Sequence, residues 1–76
     1  MEKTRVMLES INDVKDFVNK VVQVDYDVDL ISGRYAIDAK SIMGIFSLDL
    51  SKPIDLEAHT KDASKLFASI DKYIVK

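Results

Sequence analysis

The sequence predicts an α+β domain: a four-stranded antiparallel sheet covered on one face by three helices, the middle one short, in the order β-α-β-β-α-β-α. Three observations carry this. The hydrophobic period switches repeatedly between about 3.6 and about 2 residues, the helix and strand repeats. A glycine turn, Ser32-Gly33-Arg34, separates two alternating segments. The 76 residues, 47% hydrophobic, suffice for one small core and so for one domain spanning 1–76.

Thr4 to Leu8 is a short run rich in β-formers and reads as the first strand. Ser10 or Asn12 then offers a helix N-cap, with Asp13 and Asp16 suited to the positive helix start. Val14, Phe17, Val18, Val21 and Val22 recur at helical spacing, while Lys15, Asn19 and Lys20 take the other face. Val24, Tyr26, Val28 and Leu30 alternate with Asp25, Asp27, Asp29 and Ile31, a half-buried strand. Gly33 provides the positive φ that the following turn needs, and Tyr35 to Ala39 returns as the next strand. Ser41 caps a short helix reaching about Leu48, and Asp49 to Lys52 form a loop. After Pro53, Ile54, Leu56 and Ala58 alternate with Asp55, Glu57 and His59 in the last strand. Thr60 or Asp62 caps a final helix whose buried stripe is Ala63, Leu66, Phe67, Ile70, Tyr73 and Ile74. A sheet with helices on one face buries both kinds of stripe. On pattern alone, a ferredoxin-like split β-α-β unit with an extra helix also fits.

Composition excludes several functions. A net charge of -2 and a pI near 5.2, with no Lys/Arg cluster, argue against nucleic acid. The absence of cysteine removes disulfides, thiolate metal sites and cysteine nucleophiles. No apolar run approaches the ~18 residues of a membrane span, and no signal-peptide pattern is present, so a soluble cytoplasmic protein is expected. Asp25, Asp27 and Asp29 lack the glycine and terminal glutamate of a calcium loop and read as a solvated sheet face. No metal site, cofactor or independent enzyme activity is expected, because no nucleophile–base pair or phosphate loop is visible.

The most informative stretch is Lys40-Ser41-Ile42-Met43-Gly44-Ile45-Phe46-Ser47-Leu48. Ile45 and Leu48, with Leu50 just beyond, share the side that can face the sheet. Ile42, Met43 and Phe46 then fall largely on the other side, more apolar surface than one short helix buries. Such a cluster marks a candidate partner-binding surface; the alternative is packing under the 49–52 loop.

This stretch resembles the regulatory-serine segment of HPr, the small phosphocarrier family of the bacterial phosphoenolpyruvate:sugar phosphotransferase system. The resemblance extends over the Asp27–Leu30 strand, the Gly33 turn, the 54–59 strand and the last helix. It implies the HPr fold, an open-faced β-sandwich. The family's active loop reads Gly-x-His-Ala-Arg-Pro, and its histidine carries the phosphoryl group. Here the matching residues are Leu8-Glu9-Ser10-Ile11-Asn12-Asp13, with Ser10 in the histidine's place and Asn12 in the arginine's. Glu9, Asp13 and Asp16 are expected to repel a phosphate there. A serine phosphate ester is also too stable for onward transfer, so Ser10 reads as a plain helix cap. His59, the sole histidine, is expected on the solvent side of the last strand.

In HPr proteins of Gram-positive type, the serine matching Ser41 is phosphorylated by an ATP-dependent kinase. The resemblance therefore implies Ser41 as a phosphorylation site, with Lys40 beside it and Ile42, Met43 and Phe46 as contact residues. A family precedent exists in Crh, which lacks the catalytic histidine and keeps the regulatory serine; this chain is similar in logic but lacks the whole Ala-Arg-Pro context. The leading expectation is a regulatory, protein-binding module, monomeric or weakly dimeric. Its partners would be an HPr-kinase-like enzyme, a transcriptional regulator or phosphotransferase-system proteins. The alternatives are a phosphocarrier using His59 or Ser10, and a ferredoxin-like small-ligand-binding module.

Overall fold

A computed structural model describes residues 1–75. The elements are β1 (Glu2–Val6), α1 (Ile11–Val21), β2 (Val28–Ser32), β3 (Tyr35–Asp38), α2 (Ile42–Phe46), β4 (Ile54–Ala58) and α3 (Ser64–Ser69), with a 3₁₀ turn at Asp71–Tyr73. The strands form one antiparallel sheet in the order β1-β4-β2-β3, so the last strand inserts between the first and second. Its two faces differ as strand alternation requires. Val6, Val28, Leu30, Ile54, Leu56 and Ala58 are buried on the helix-covered face. On the open face Lys3 pairs with Glu57 at 3.7 Å and Arg5 with Asp55 at 3.0 Å. These exposed pairs add little stability. The helices contribute Val14, Phe17, Val21, Ile45, Leu66 and Ile70 to the same core.

Several elements are displaced from, or shorter than, what the periodicity suggests. The first strand runs Glu2–Val6, and Met7–Leu8 lead out of it, with Leu8 completely buried. The second strand starts only at Val28: Val24 and Tyr26 still pack against the core, but from a turn that closes α1. Apolar alternation there reflects burial from an irregular segment, which burial patterning alone cannot distinguish from a strand. Val22 is exposed at the C-cap of α1 and does not join the stripe. Ala39 lies past β3 yet is buried, its N–H donating to the Val28 carbonyl at 2.8 Å.

The final helix breaks after Ser69, and the chain resumes as a 3₁₀ turn that delivers Tyr73 into the core. Neither expected cap sits at its N-cap, which is Ala63; Asp62 instead accepts the Ser64 N–H at 2.9 Å from one residue earlier. Gly33 has φ +60 in the two-residue turn joining Ser32 to Tyr35, the conformation a primed hairpin turn requires.

Candidate functional site

Two helix starts concentrate the chemistry. At the first, Ser10 is the N-cap of α1 and its Oγ accepts the Asp13 N–H at 3.1 Å. The Asp13 carboxylate reaches back to accept the Glu9 N–H, also at 3.1 Å. Hydroxyl and carboxylate thus occupy the Asp13 and Glu9 N–H groups at this helix start, a variant of the capping box. A shallow depression of about 300 Å³ beside this start is lined by Glu9, Asp13, Lys72 and Tyr73 among others, two carboxylates against one ammonium. Asn12 is exposed, and its side chain makes no hydrogen bond among the described residues.

Asp16 does not join Glu9 and Asp13 at the helix mouth, contrary to the expectation that all three surround it. The Tyr73 hydroxyl donates to Asp16 Oδ2 at 2.5 Å, Lys20 lies 3.0 Å away and Lys72 3.4 Å. The Tyr73 hydrogen bond foremost, then the Lys20 ammonium, hold its carboxyl well below the usual range, at about 2. Burial, then the Asp16 hydrogen bond, push the Tyr73 hydroxyl above its ordinary value. Only the Asp16/Lys20 spacing of this cluster was readable as an i,i+4 pair; Tyr73 comes from the distant 3₁₀ turn.

At the second start, Ser41 is the N-cap of α2 and its Oγ accepts the Gly44 N–H at 3.2 Å. Ser41 is exposed. Gly44 permits a close fit: a Cβ there would lie 3.2 Å from Ser41 Oγ and 3.5 Å from Ile37 Cδ1. Lys40 is half-buried, and its ammonium donates to the Val24 carbonyl at 2.9 Å, tying the start of α2 to the turn after α1. The apolar residues divide partly as expected. Ile45 and Leu48 are buried, Met43 is 76% exposed and Phe46 40% exposed, and Leu50 packs against the core. Ile42 is the exception: it is half-buried against the core, leaving Met43 and Phe46 as the outward pair.

His59 lies on the open face of the sheet, its Nε2 2.8 Å from Asp29 Oδ2. The β1–β4 register sets Val6 opposite Ile54 and Glu2 opposite Ala58, so His59 follows the far end of the sheet from Ser10. Asp25 and Asp27 stand outside the strands, and no cluster of three or more ligating side chains exists among the described residues. No helix is long and apolar enough to cross a membrane, among the described residues.

Residues 12–76 match the PTS-HPr family, described as the PTS HPr component phosphorylation site. The match begins two residues after Ser10. No curated protein matches the sequence. Among solved structures, HPr-C-His from Thermoanaerobacter tengcongensis gives a TM-score of 0.79 at 20% identity, covering 95% of this chain and 89% of that one. A phosphocarrier protein HPr from Bacillus anthracis str. Ames gives 0.72 at 22% identity over 97% and 96%. Crh of Bacillus subtilis, whose crystal structure shows a swapped, intertwined dimer, gives 0.66 at 25% identity over 93% and 88%. The four-stranded sheet and three helices are therefore the HPr fold.

Proposed function

This chain belongs to the HPr family, a family of phosphocarriers and not of enzymes, and from that premise we propose that it is a regulatory protein-binding module that does not itself relay phosphoryl groups. The observation that carries the reading is the position of its sole histidine. His59 sits on the open face, paired with Asp29, at the opposite end of the sheet from the start of α1. The start of α1, where a family phosphocarrier holds its histidine, bears Ser10 as a working cap and two nearby carboxylates. A dianionic phosphoryl group placed there meets the like charge of Glu9 and Asp13, with the Asp13 and Glu9 N–H groups already in use.

The positive role centres on α2. Ser41 is exposed, and the N–H groups of its first turn lack helical partners, so a phosphate added there meets donors and the positive dipole end. Beside it, Met43 and Phe46 offer flexible, high-area apolar contact to a protein partner. The partner classes this surface suits are an HPr-kinase-like enzyme acting on Ser41, a transcriptional regulator, or phosphotransferase-system proteins in the cytoplasm. Lys40 contributes by holding the start of α2 against the Val24 carbonyl, and Ile42 supports the helix from beneath.

Incubation with ATP and an HPr kinase, read by intact mass, tests the switch. A single phosphate adduct is expected on the native chain and none on Ser41→Ala. An adduct that persists in Ser41→Ala, or no adduct at all, would remove Ser41 as the switch. Binding to a regulator should weaken at least tenfold in Met43→Ser/Phe46→Ser, a surface pair of hot-spot type.

A further inference from the structure

The sheet has two edges, and the chain treats them differently. Outside β1, the Met7 N–H donates to the Tyr73 carbonyl and the Val75 N–H to the Arg5 carbonyl, both at 2.8 Å, and Val6 bridges Ile74. The C-terminal segment thus covers that edge over Arg5–Met7. Among the described residues no strand covers the outer edge of β3, which ends the sheet order. Within Tyr35–Asp38 there is neither Pro nor Lys, the usual devices that keep an edge unpaired.

The ladder tells which backbone groups face outward. The Ala39 N–H donates to the Val28 carbonyl, and the β2–β3 register carries the same phase to Leu30–Ile37 and Ser32–Tyr35. Antiparallel alternation then turns the N–H and C=O of Ala36, and the N–H of Asp38, away from β2. The Asp38 carbonyl already accepts the Ser41 N–H at 2.9 Å.

We propose that this edge pairs with the same edge of a second copy of the chain, antiparallel, with Ala36 opposite Ala36 of the other copy, which makes one eight-stranded sheet from two of four strands. Charge selects that register. It sets Arg34 of each copy opposite Asp38 of the other, at both ends of the contact. Arg34 is exposed and has no ion pair or hydrogen bond among the described residues. Asp38 spends one carboxylate oxygen on the Lys40 N–H at 2.9 Å and keeps the other. The same pairing sets Tyr35, 72% exposed, opposite half-buried Ile37 of the other copy, an aromatic to β-branched cross-strand pair. Slipping by two residues in one direction sets Arg34 against Lys40, a repulsion, and in the other sets it against Ala36, with no partner. This arrangement leaves β1 and its C-terminal cover in place, so it differs from exchange of a segment between chains. It also stands apart from the regulatory reading.

Sedimentation equilibrium of the whole chain, from micromolar to millimolar concentration, tests it. The average mass is expected to rise from 8.6 kDa toward twice that value. Arg34→Asp and Asp38→Arg should each weaken association by about tenfold or more, since like charges then face each other twice. Mixing the two variants should restore it, because every facing pair is again opposite in sign. Ala36→Pro, which removes an outward N–H that β2 does not use, should leave a folded monomer. A mass that stays at 8.6 kDa at millimolar concentration overturns the proposal. So does a dimer indifferent to Arg34→Asp and Ala36→Pro, or a mixture that remains monomeric.

Discussion

Ser10 and Asp13 close the first helix by satisfying its own backbone, which is why a hydroxyl in that position needs no phosphoryl chemistry to explain it. Ser10→Ala should lower stability by about 1 kcal/mol, the ordinary cost of losing an N-cap, measured by urea unfolding. Asp16 carries a different duty: it joins α1 to the C-terminal 3₁₀ turn through Tyr73 and Lys72, and pairs with Lys20 within the helix. Its folded value, about 2, lies below its ordinary 3.8. The stabilisation it gives is therefore complete above about 3.8 and fades as pH falls through about 2. An NMR titration of the Asp16 carboxyl carbon should show that depressed midpoint, and Tyr73→Phe should move it upward. A midpoint unchanged by Tyr73→Phe would show that the tyrosine hydroxyl does not hold it down.

At the scale of elements, α2 is a five-residue helix held by its cap, by Ile45 in the core and by Gly44 against Ser41 and Ile37. Gly44→Ala gains helix propensity of roughly 0.5–1 kcal/mol but presses on the Ser41 hydroxyl, whose bond to the residue 44 N–H must stretch. The gain should therefore appear more fully in a Ser41→Ala background than in the native chain, a non-additivity that a double-mutant cycle by urea unfolding reads directly. Equal gains in both backgrounds would mean that the cap absorbs the methyl group without strain. The hydroxyl-capped helix starts at Ser10 and Ser41, the Gly33 hairpin and the alternating 54–58 strand were legible in the sequence, because each follows from local chemistry. The late start of β2, the break after Ser69 and the half-buried position of Ile42 were not. Each is settled by tertiary packing of residues whose period fits more than one local structure. The Lys40–Val24 tether and the Asp16–Tyr73 pair were illegible for the same reason, since their partners meet only once the fold closes.

Over the whole molecule, one core layer between sheet and helices carries the stability, with Phe17 at its centre edge-on to Tyr73 at 6.1 Å. Phe17→Ala should cost about 3–5 kcal/mol, much of what a domain of this size possesses, and urea unfolding should show a largely unfolded chain. The same topology separates the sole histidine from the start of α1: it is placed on the open face, beyond the end of β4 opposite to Ser10. Ser41 instead sits at an exposed helix start with Met43 and Phe46 exposed beside it, which is the surface the proposed regulatory role would use. Whether the chain accepts a phosphoryl group from the phosphotransferase relay is decided by intact mass. The chain is incubated with phosphoenolpyruvate and Enzyme I, and its intact mass is compared with that of an HPr phosphocarrier in the same tube. The phosphocarrier is expected to gain a phosphoryl group and this chain none; a transferable phosphoryl group on this chain, at His59 or at Ser10, would make it a phosphocarrier after all.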